Sequence, residues 1–283
     1  MSAAREDYEV QALGLLEILG VSFRILFERF AVLAGLGLVA NLPAIAMFTA
    51  FVADSRPGPG DAAAQILAPD FLNAVAGYAV ATCLAIPFVG AAVAVVVSRL
   101  YLGHTLSFGD AAREGLSHYA GLALSYGVLA VVSVAVAGIL AVLVFGGTAI
   151  AQGLGGMGEL LGFALAAGAI AVGLNLALVW FLLPQVVVLE GESVFHAVAR
   201  VWTLLDGMRW KAASALLSGY LIVAIPSMVL QFSMAAVPLL GIAAWSAVQA
   251  IGHAFIATIS VVLYLDIRAR KEAFDRSGLA GAI

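Results

Sequence analysis

The feature that most constrains the fold of this chain is a succession of long apolar stretches separated by short polar connections. A helix of about 20 apolar residues can cross the hydrocarbon core of a membrane with all its backbone groups hydrogen-bonded. Six stretches reach that length, at 31–53, 73–97, 119–145, 160–189, 212–231 and 238–265. The sequence therefore predicts an all-α integral membrane protein with six transmembrane helices.

The composition argues against the main alternative, a water-soluble enzyme. The 283 residues are 64% hydrophobic and only 11% charged, whereas a soluble protein averages about 25% charged residues. Too few charges are present to coat a soluble globule of this length. A disulfide scaffold is also excluded, because the sequence contains one cysteine.

The basic residues indicate which side of the membrane each connection faces. Twelve of the 13 lysines and arginines lie in the N-terminal segment, the second and fourth connections and the C-terminal tail, and the other is Arg56. Lysine and arginine accumulate on the cytoplasmic side of membrane proteins. We therefore expect six spans with both termini in the cytoplasm. The net charge of −4 adds little, because the location of charge matters more than its sum.

Three similar segments suggest an internal repeat. Ser22, Ser107 and Ser193 each precede an odd-numbered span, and an amphipathic helical pattern follows each serine. This pattern predicts three hairpins in one polytopic domain, 1–283, each preceded by an amphipathic interfacial helix. The units are approximately 12–98, 105–189 and 193–266, with a tail at 267–283, and equal orientation implies a pseudo-threefold parallel repeat. The alternative is chance similarity among helices rich in valine and alanine.

Two stretches resemble a known family. They are LPQVVVLEGES at 183–193 and YLDIRARKE at 264–272. Both are similar to the six-span membrane domain found fused to some bacterial glycerophosphodiester phosphodiesterases, and to related stand-alone membrane proteins. The resemblance implies a bacterial inner-membrane location and the same six-span layout. It implies no hydrolase activity, because in the fused relatives the phosphodiester chemistry belongs to a separate soluble barrel, which this chain has no room to hold.

Known catalytic and metal-binding motifs are missing from the sequence. It contains no HExxH, CxxC, P-loop or GxSxG motif, its four histidines are dispersed, and Cys83 lies within a span without a nearby base. Metal or thiol chemistry therefore has little support. The prediction is a protein that is not an enzyme and has no cofactor.

Polar residues within the apolar spans are the first group of candidate functional residues. A polar side chain in hydrocarbon costs free energy unless it has a partner or faces water. These residues could line a polar pathway, or they could be hydrogen bonds between helices, worth about 0.6 kcal/mol each. The second interpretation is favoured, because no charged residue lies deep in any span. The candidates are Asn41, Asn175, Gln185, Gln249 and His253.

Charged residues at the predicted cytoplasmic ends are the second group. We expect an ion-pair network that joins Asp266 to Arg200 or Arg209, and Glu190 to Arg268 or Arg270. Such a network would lock the third hairpin to its interfacial helix. Alternatively, the basic residues only set the topology and lie near anionic headgroups, each contributing about 1 kcal/mol there.

Three functions are compatible with this sequence. The first is a non-enzymatic inner-membrane module that engages membrane lipids, with anionic headgroups on the cytoplasmic face, or a protein partner, but no nucleic acid. The alternative is a transporter or lipid translocator that uses a polar path between the hairpins. The third, an intramembrane enzyme, would require Asp266, Glu190 and His196 to cluster around water.

Overall fold

The computed structural model describes residues 8–54, 69–151, 156–233 and 238–282. Arg5 and Arg56, which the orientation argument uses, lie outside these ranges. Within them the regular secondary structure is helical. The helices are α1 (Leu15–Glu28), α2 (Phe30–Asp54), α3 (Pro69–Tyr101), α4 (Phe108–Ala151), α5 (Gly156–Leu189), α6 (Val194–Leu205), α7 (Arg209–Ser233), α8 (Pro238–Glu272) and α9 (Arg276–Ala282).

Five of these helices contain stretches long and apolar enough to cross a membrane. A sixth is added if α1 and the first part of α2, which meet at a bend of 88°, count as one span. The prediction of an all-helical chain with several helices able to cross a membrane is therefore confirmed. The stretches are Leu84–Tyr101, Phe108–Gly147, Met157–Leu189, Arg209–Leu230 and Ala244–Glu272.

The short helices α1 and α6 precede the first and third predicted hairpins, whereas the second predicted hairpin has no separate helix before it. Gly191 and Gly207, with φ of +67° and +69°, bracket α6 and let the chain change direction there. Glycine adopts this left-handed conformation without steric cost. No such glycine follows Phe108, and α4 continues unbroken to Ala151. The structure therefore differs from the expected three equal units.

The centre of the bundle is formed by α3 and α8. Within the apolar 18-residue window of each stretch, 78% of the residues are buried in Leu84–Tyr101 and 83% in Ala244–Glu272, against 6% in Phe108–Gly147 and 17% in Met157–Leu189. The apolar surfaces of α4 and α5 thus remain available to lipid. At Gly37 of α2, a Cβ would overlap the backbone carbonyl of Ala250 on α8, so these two helices pack backbone against backbone.

The apolar side of α6 packs on protein. Ala197, Val201 and Leu204 are essentially fully buried, whereas Phe195 remains 75% exposed. Most of the apolar stripe that suggested an interfacial helix is therefore used to attach α6 to the bundle. This packing places Arg200 of α6 beside the ends of α5 and α8.

Candidate functional site

One end of the bundle collects most of the charged contacts. There the ends of α5 and α8, which carry Glu190 and Asp266, meet Leu13, which precedes α1, and Lys211 at the start of α7. We call this end, defined by these four residues, the charged end. It contains two separate clusters, one around each acidic residue.

The first cluster is built around Glu190 at the end of α5. Its Oε2 accepts a hydrogen bond from Nε of Arg200 at 2.7 Å, and its Oε1 accepts one from the Tyr264 hydroxyl at 2.7 Å. Arg268 donates to the same hydroxyl at 3.1 Å and to Glu272 at 2.7 Å. Glu272 also pairs with Arg200, which closes the cluster. Three helices, α5, α6 and α8, are thereby joined through charge-assisted hydrogen bonds.

The second cluster is built around Asp266, whose side chain is fully buried. Its carboxylate accepts hydrogen bonds from Lys211 Nζ at 2.5 Å and from Arg270 Nε at 2.9 Å. It also accepts the backbone N–H of Leu13 at 2.7 Å. A buried carboxylate requires such partners, because removal from water strongly disfavours its charged form.

The observed pairing differs from the expected pairing for Asp266. This residue contacts Lys211 and Arg270 rather than Arg200 or Arg209, because Arg200 is turned toward Glu190. Arg209 instead lies over the ring of Trp202, 5.0 Å from its centroid.

For Glu190, the expected partner Arg268 is near, at 3.8 Å, but the shorter bond is to Arg200. Three members of the observed clusters, Glu272, Lys211 and Tyr264, were not among the residues expected in the network. The spacing of four residues between Arg268 and Glu272 on one helix was the available signal for one of these pairs.

The electrostatics of Arg200 favour permanent ion pairing. Burial lowers the pKa of its guanidinium, but the hydrogen bonds and charges of Glu190 and Glu272 outweigh burial, so the pKa is raised above its ordinary value. Arg200 therefore remains protonated at neutral pH. This chemistry suits a structural link better than acid–base catalysis.

Two of the polar candidates in the spans hydrogen bond within their own helices. The Asn41 amide nitrogen donates to the Gly37 carbonyl at 2.7 Å, and that of Asn175 donates to the Ala171 carbonyl at 2.8 Å. The Asn175 Oδ1 has no partner in the part of the chain that the structure describes. Neither contact joins two helices.

The remaining polar candidates differ in burial and in their contacts. Gln185 is fully buried on α5, and its amide hydrogen bonds with the Ser260 hydroxyl on α8 at 3.0 Å. Gln249 and His253 are half-buried one turn apart on α8. The structure therefore shows one bond between helices at Gln185 and no contact that gathers all five candidates.

An apolar groove lies between α2, α3 and the first part of α4. Its volume is about 760 Å³, within the range of about 300–1,000 Å³ typical of small-molecule sites. The one hydroxyl in the lining, on Tyr119, donates to the Leu84 carbonyl at 3.1 Å. The groove therefore offers an apolar surface. Representative lining residues are Pro43, Val80, Leu84, Phe88, Leu116 and Tyr119.

The described residues were compared with metal-binding arrangements, and the chain with known proteins. Among the described residues, no group of three or more histidine, cysteine, aspartate or glutamate side chains could hold a metal ion. The Cys83 side chain falls outside the described part. Comparison with protein-family models, curated proteins and solved structures gives no match. The groove and the charged end are therefore the features of the structure that bear on function.

Proposed function

We propose that this chain is a non-enzymatic, lipid-engaging module of a bacterial inner membrane, with both termini in the cytoplasm. The observation that supports it is the groove between α2, α3 and α4. Its walls belong to helices of a multi-pass membrane protein, so the medium around it is membrane hydrocarbon. The occupant that fits this medium is a lipid acyl chain.

The dimensions of the groove support this occupant. On α3 the lining runs from Gly77 to Phe88, which is about 17 Å of helix axis at 1.5 Å per residue. One leaflet of a membrane has a hydrocarbon thickness of about 15 Å, half of the usual 30 Å. The groove is therefore about as long as one leaflet is deep, and it begins near Phe108, at the first residue of α4.

The expected headgroup contacts remain part of this proposal, as does the repeat of three hairpins, of which the first and third are preceded by a separate short helix. Arg113 and Arg209 are exposed and would approach anionic headgroups, each contributing about 1 kcal/mol. Amphipathic patterns in α1 and α6 would place these helices at the membrane surface, with exposed Phe195 on α6 and exposed Trp210 at the start of α7 as interfacial anchors. The resemblance to the phosphodiesterase-associated membrane domain is compatible with this function and remains a prediction.

The alternative proposal, a transporter or lipid translocator, has less support from the geometry. A polar path requires side chains that face a common cavity. Asn41 and Asn175 instead donate to carbonyls of their own helices, and Gln185 bonds with a neighbouring helix. None of these three lines the groove. A protein partner on the cytoplasmic face remains the other form of this accessory role.

Photo-crosslinking tests the lipid proposal. The full chain would be reconstituted in vesicles containing a phospholipid with a diazirine on its acyl chain, and the labelled residues would be mapped by mass spectrometry. We expect labelling to concentrate on Val80, Leu84 and Leu116. Val134 is more exposed, at 72%, but lies on an open face of α4, so we expect weaker labelling there.

A groove-filling variant sharpens this test. Ala81 is buried and lines the groove, so Ala81→Leu places extra volume where the acyl chain would lie. We expect it to reduce labelling of the groove several-fold. Ala137→Leu, at an exposed position of α4 outside the groove, is the matched control and should leave the labelling unchanged. The proposal would be contradicted if labelling followed side-chain exposure alone in the unaltered chain, in Ala81→Leu and in Ala137→Leu.

A further inference from the structure

The segment at 8–14 lies against the charged end without forming a helix or strand. Two of its side chains are buried, Tyr8 at 6% and Leu13 at 7% exposure, whereas Glu9, Gln11 and Ala12 between them are exposed. Two buried anchors separated by exposed residues are typical of a docked peptide. The segment is therefore attached to the bundle at two points.

The first attachment recognises the main chain of Leu13. Asp266 accepts its N–H at 2.7 Å, while Lys211 Nζ and Arg270 Nη2 donate to its carbonyl oxygen at 2.6 and 2.7 Å. The same two cations also hold Asp266. Both main-chain polar groups of one residue, which belong to two successive peptide units, are thus bound by a trio of charged side chains. Charge-assisted hydrogen bonds of this kind are about twice as strong as neutral ones.

The second attachment uses the Tyr8 side chain. Its ring lies 5.4 Å from that of Tyr101 at the end of α3, and the Arg24 guanidinium lies 4.4 Å from its centroid. Its hydroxyl donates to Glu28 on α1 at 2.8 Å. The segment consequently bridges α1 and α3 at one attachment and α7 and α8 at the other.

We propose that residues 8–14 form a latch, an intramolecular peptide ligand of the site made by Asp266, Lys211 and Arg270. The latch holds the seam between α1 and α8 closed at the charged end. The site binds main-chain groups of Leu13, so the side chain at this position does not take part in these three hydrogen bonds. This inference does not depend on the lipid proposal, since it uses none of the groove residues.

Hydrogen exchange on the full chain in lipid nanodiscs tests the latch. A backbone N–H outside a helix ordinarily exchanges rapidly, but the Leu13 N–H is donated to a buried carboxylate. We expect exchange at Leu13 to be roughly ten- to a hundredfold slower than at the exposed Ala12, because a hydrogen bond to a charged group must open first. Equal rates at these two positions would overturn the proposal.

Two variants and one control distinguish loss of the latch from a loss of stability of the whole bundle. Asp266→Asn should speed exchange throughout 8–14, whereas Asp206→Asn, an exposed acid at the end of α6, should not. Asp266→Asn could also unfold the bundle, so the second variant replaces Leu13 by its α-hydroxy acid, which removes only the N–H donor. We expect it to speed exchange in the rest of the latch while protection within α8 is retained. Unchanged exchange in the latch of this ester variant would refute the role of the Leu13 N–H.

Discussion

Removal of the Asp266 carboxylate is the most informative test of how the charged end is held together. The side chain of Asp266 is fully buried, while those of Lys211 and Arg270 are 21% and 38% exposed. Breaking a buried ion pair costs about 3–5 kcal/mol, since the remaining charge is left uncompensated. Both cations can recover water here, so we expect Asp266→Ala to lower the free energy of unfolding by about 3 kcal/mol, at the low end of that range.

The comparison variant is Glu272→Ala, which also removes a carboxylate that meets two cations. Glu272 is 27% exposed, and its partners Arg200 and Arg268 are 27% and 14% exposed. An ion pair this accessible to solvent typically contributes about 0.2–1 kcal/mol. We therefore expect Glu272→Ala to cost about 1 kcal/mol, roughly a third of the cost of Asp266→Ala.

The assay is unfolding of the purified full chain in mixed micelles, with helix content followed during titration with sodium dodecyl sulfate. A double variant, Asp266→Ala with Lys211→Met, provides the coupling between these two residues. It should lose less stability than the sum of the single variants, by about 1–2 kcal/mol, because contacting residues are not additive. If Asp266→Ala cost no more than Glu272→Ala, burial would not be what makes Asp266 important, and the reasoning would be refuted.

Three other predictions concern packing, hydrogen bonding and ionisation. Gly37→Ala should destabilise the bundle by about 1–3 kcal/mol in the same assay, because its Cβ would overlap backbone, whereas Gly127→Ala, with open space around it, should not. Gln185→Leu should cost about 0.6–1.7 kcal/mol through loss of a bond between helices, and Asn175→Leu should cost less, since its bond is internal to one helix. Burial, together with Glu28, raises the pKa of Tyr8 to about 12, while tyrosine in an unfolded chain ionises near pH 10. The free energy of unfolding should therefore fall as the pH rises from about 10 to about 12, and Tyr8→Phe should weaken this pH dependence.

The positions of the apolar helices could be predicted from the sequence because their length follows from the thickness of a membrane. All six predicted stretches fall on helices of the structure. The difference between the second unit and the other two could not be predicted, because it depends on where the chain breaks. Gly207 allows a break after α6, whereas the corresponding part of α4 is continuous.

The partners of the charged residues were harder to predict. Arg270 lies one turn from Asp266 on the same helix, so that pair has a sequence signal. Lys211 and Leu13 come from 55 and 253 residues away. The contact with Leu13 involves its backbone, which every residue possesses, so no residue type marks it in the sequence. Only the packing of α1, α7 and α8 brings these groups together.

Under the proposed lipid-binding function, ion pairs would limit how the headgroup is selected. Arg200, Lys211 and Arg270 at the charged end are each paired with a carboxylate at 2.9 Å or less, and Arg99 is paired with Glu114 at 3.1 Å. A cation already held by a carboxylate gains little from a second anion, because binding a phosphate must first weaken the existing pair. The acyl chain should therefore contribute more to lipid binding than the headgroup charge.

This reasoning gives a measurable expectation for the vesicle experiment. Crosslinking in the groove should differ by less than about fivefold between zwitterionic and anionic phospholipids that carry the same acyl chain, since one surface contact contributes about 1 kcal/mol, which corresponds to a factor of about five. Salt should have little effect as well, because the lining of the groove is apolar. A tenfold preference for anionic lipid that is lost in Arg113→Gln would show instead that an exposed arginine selects the lipid, and that the groove only accommodates the chain attached to it.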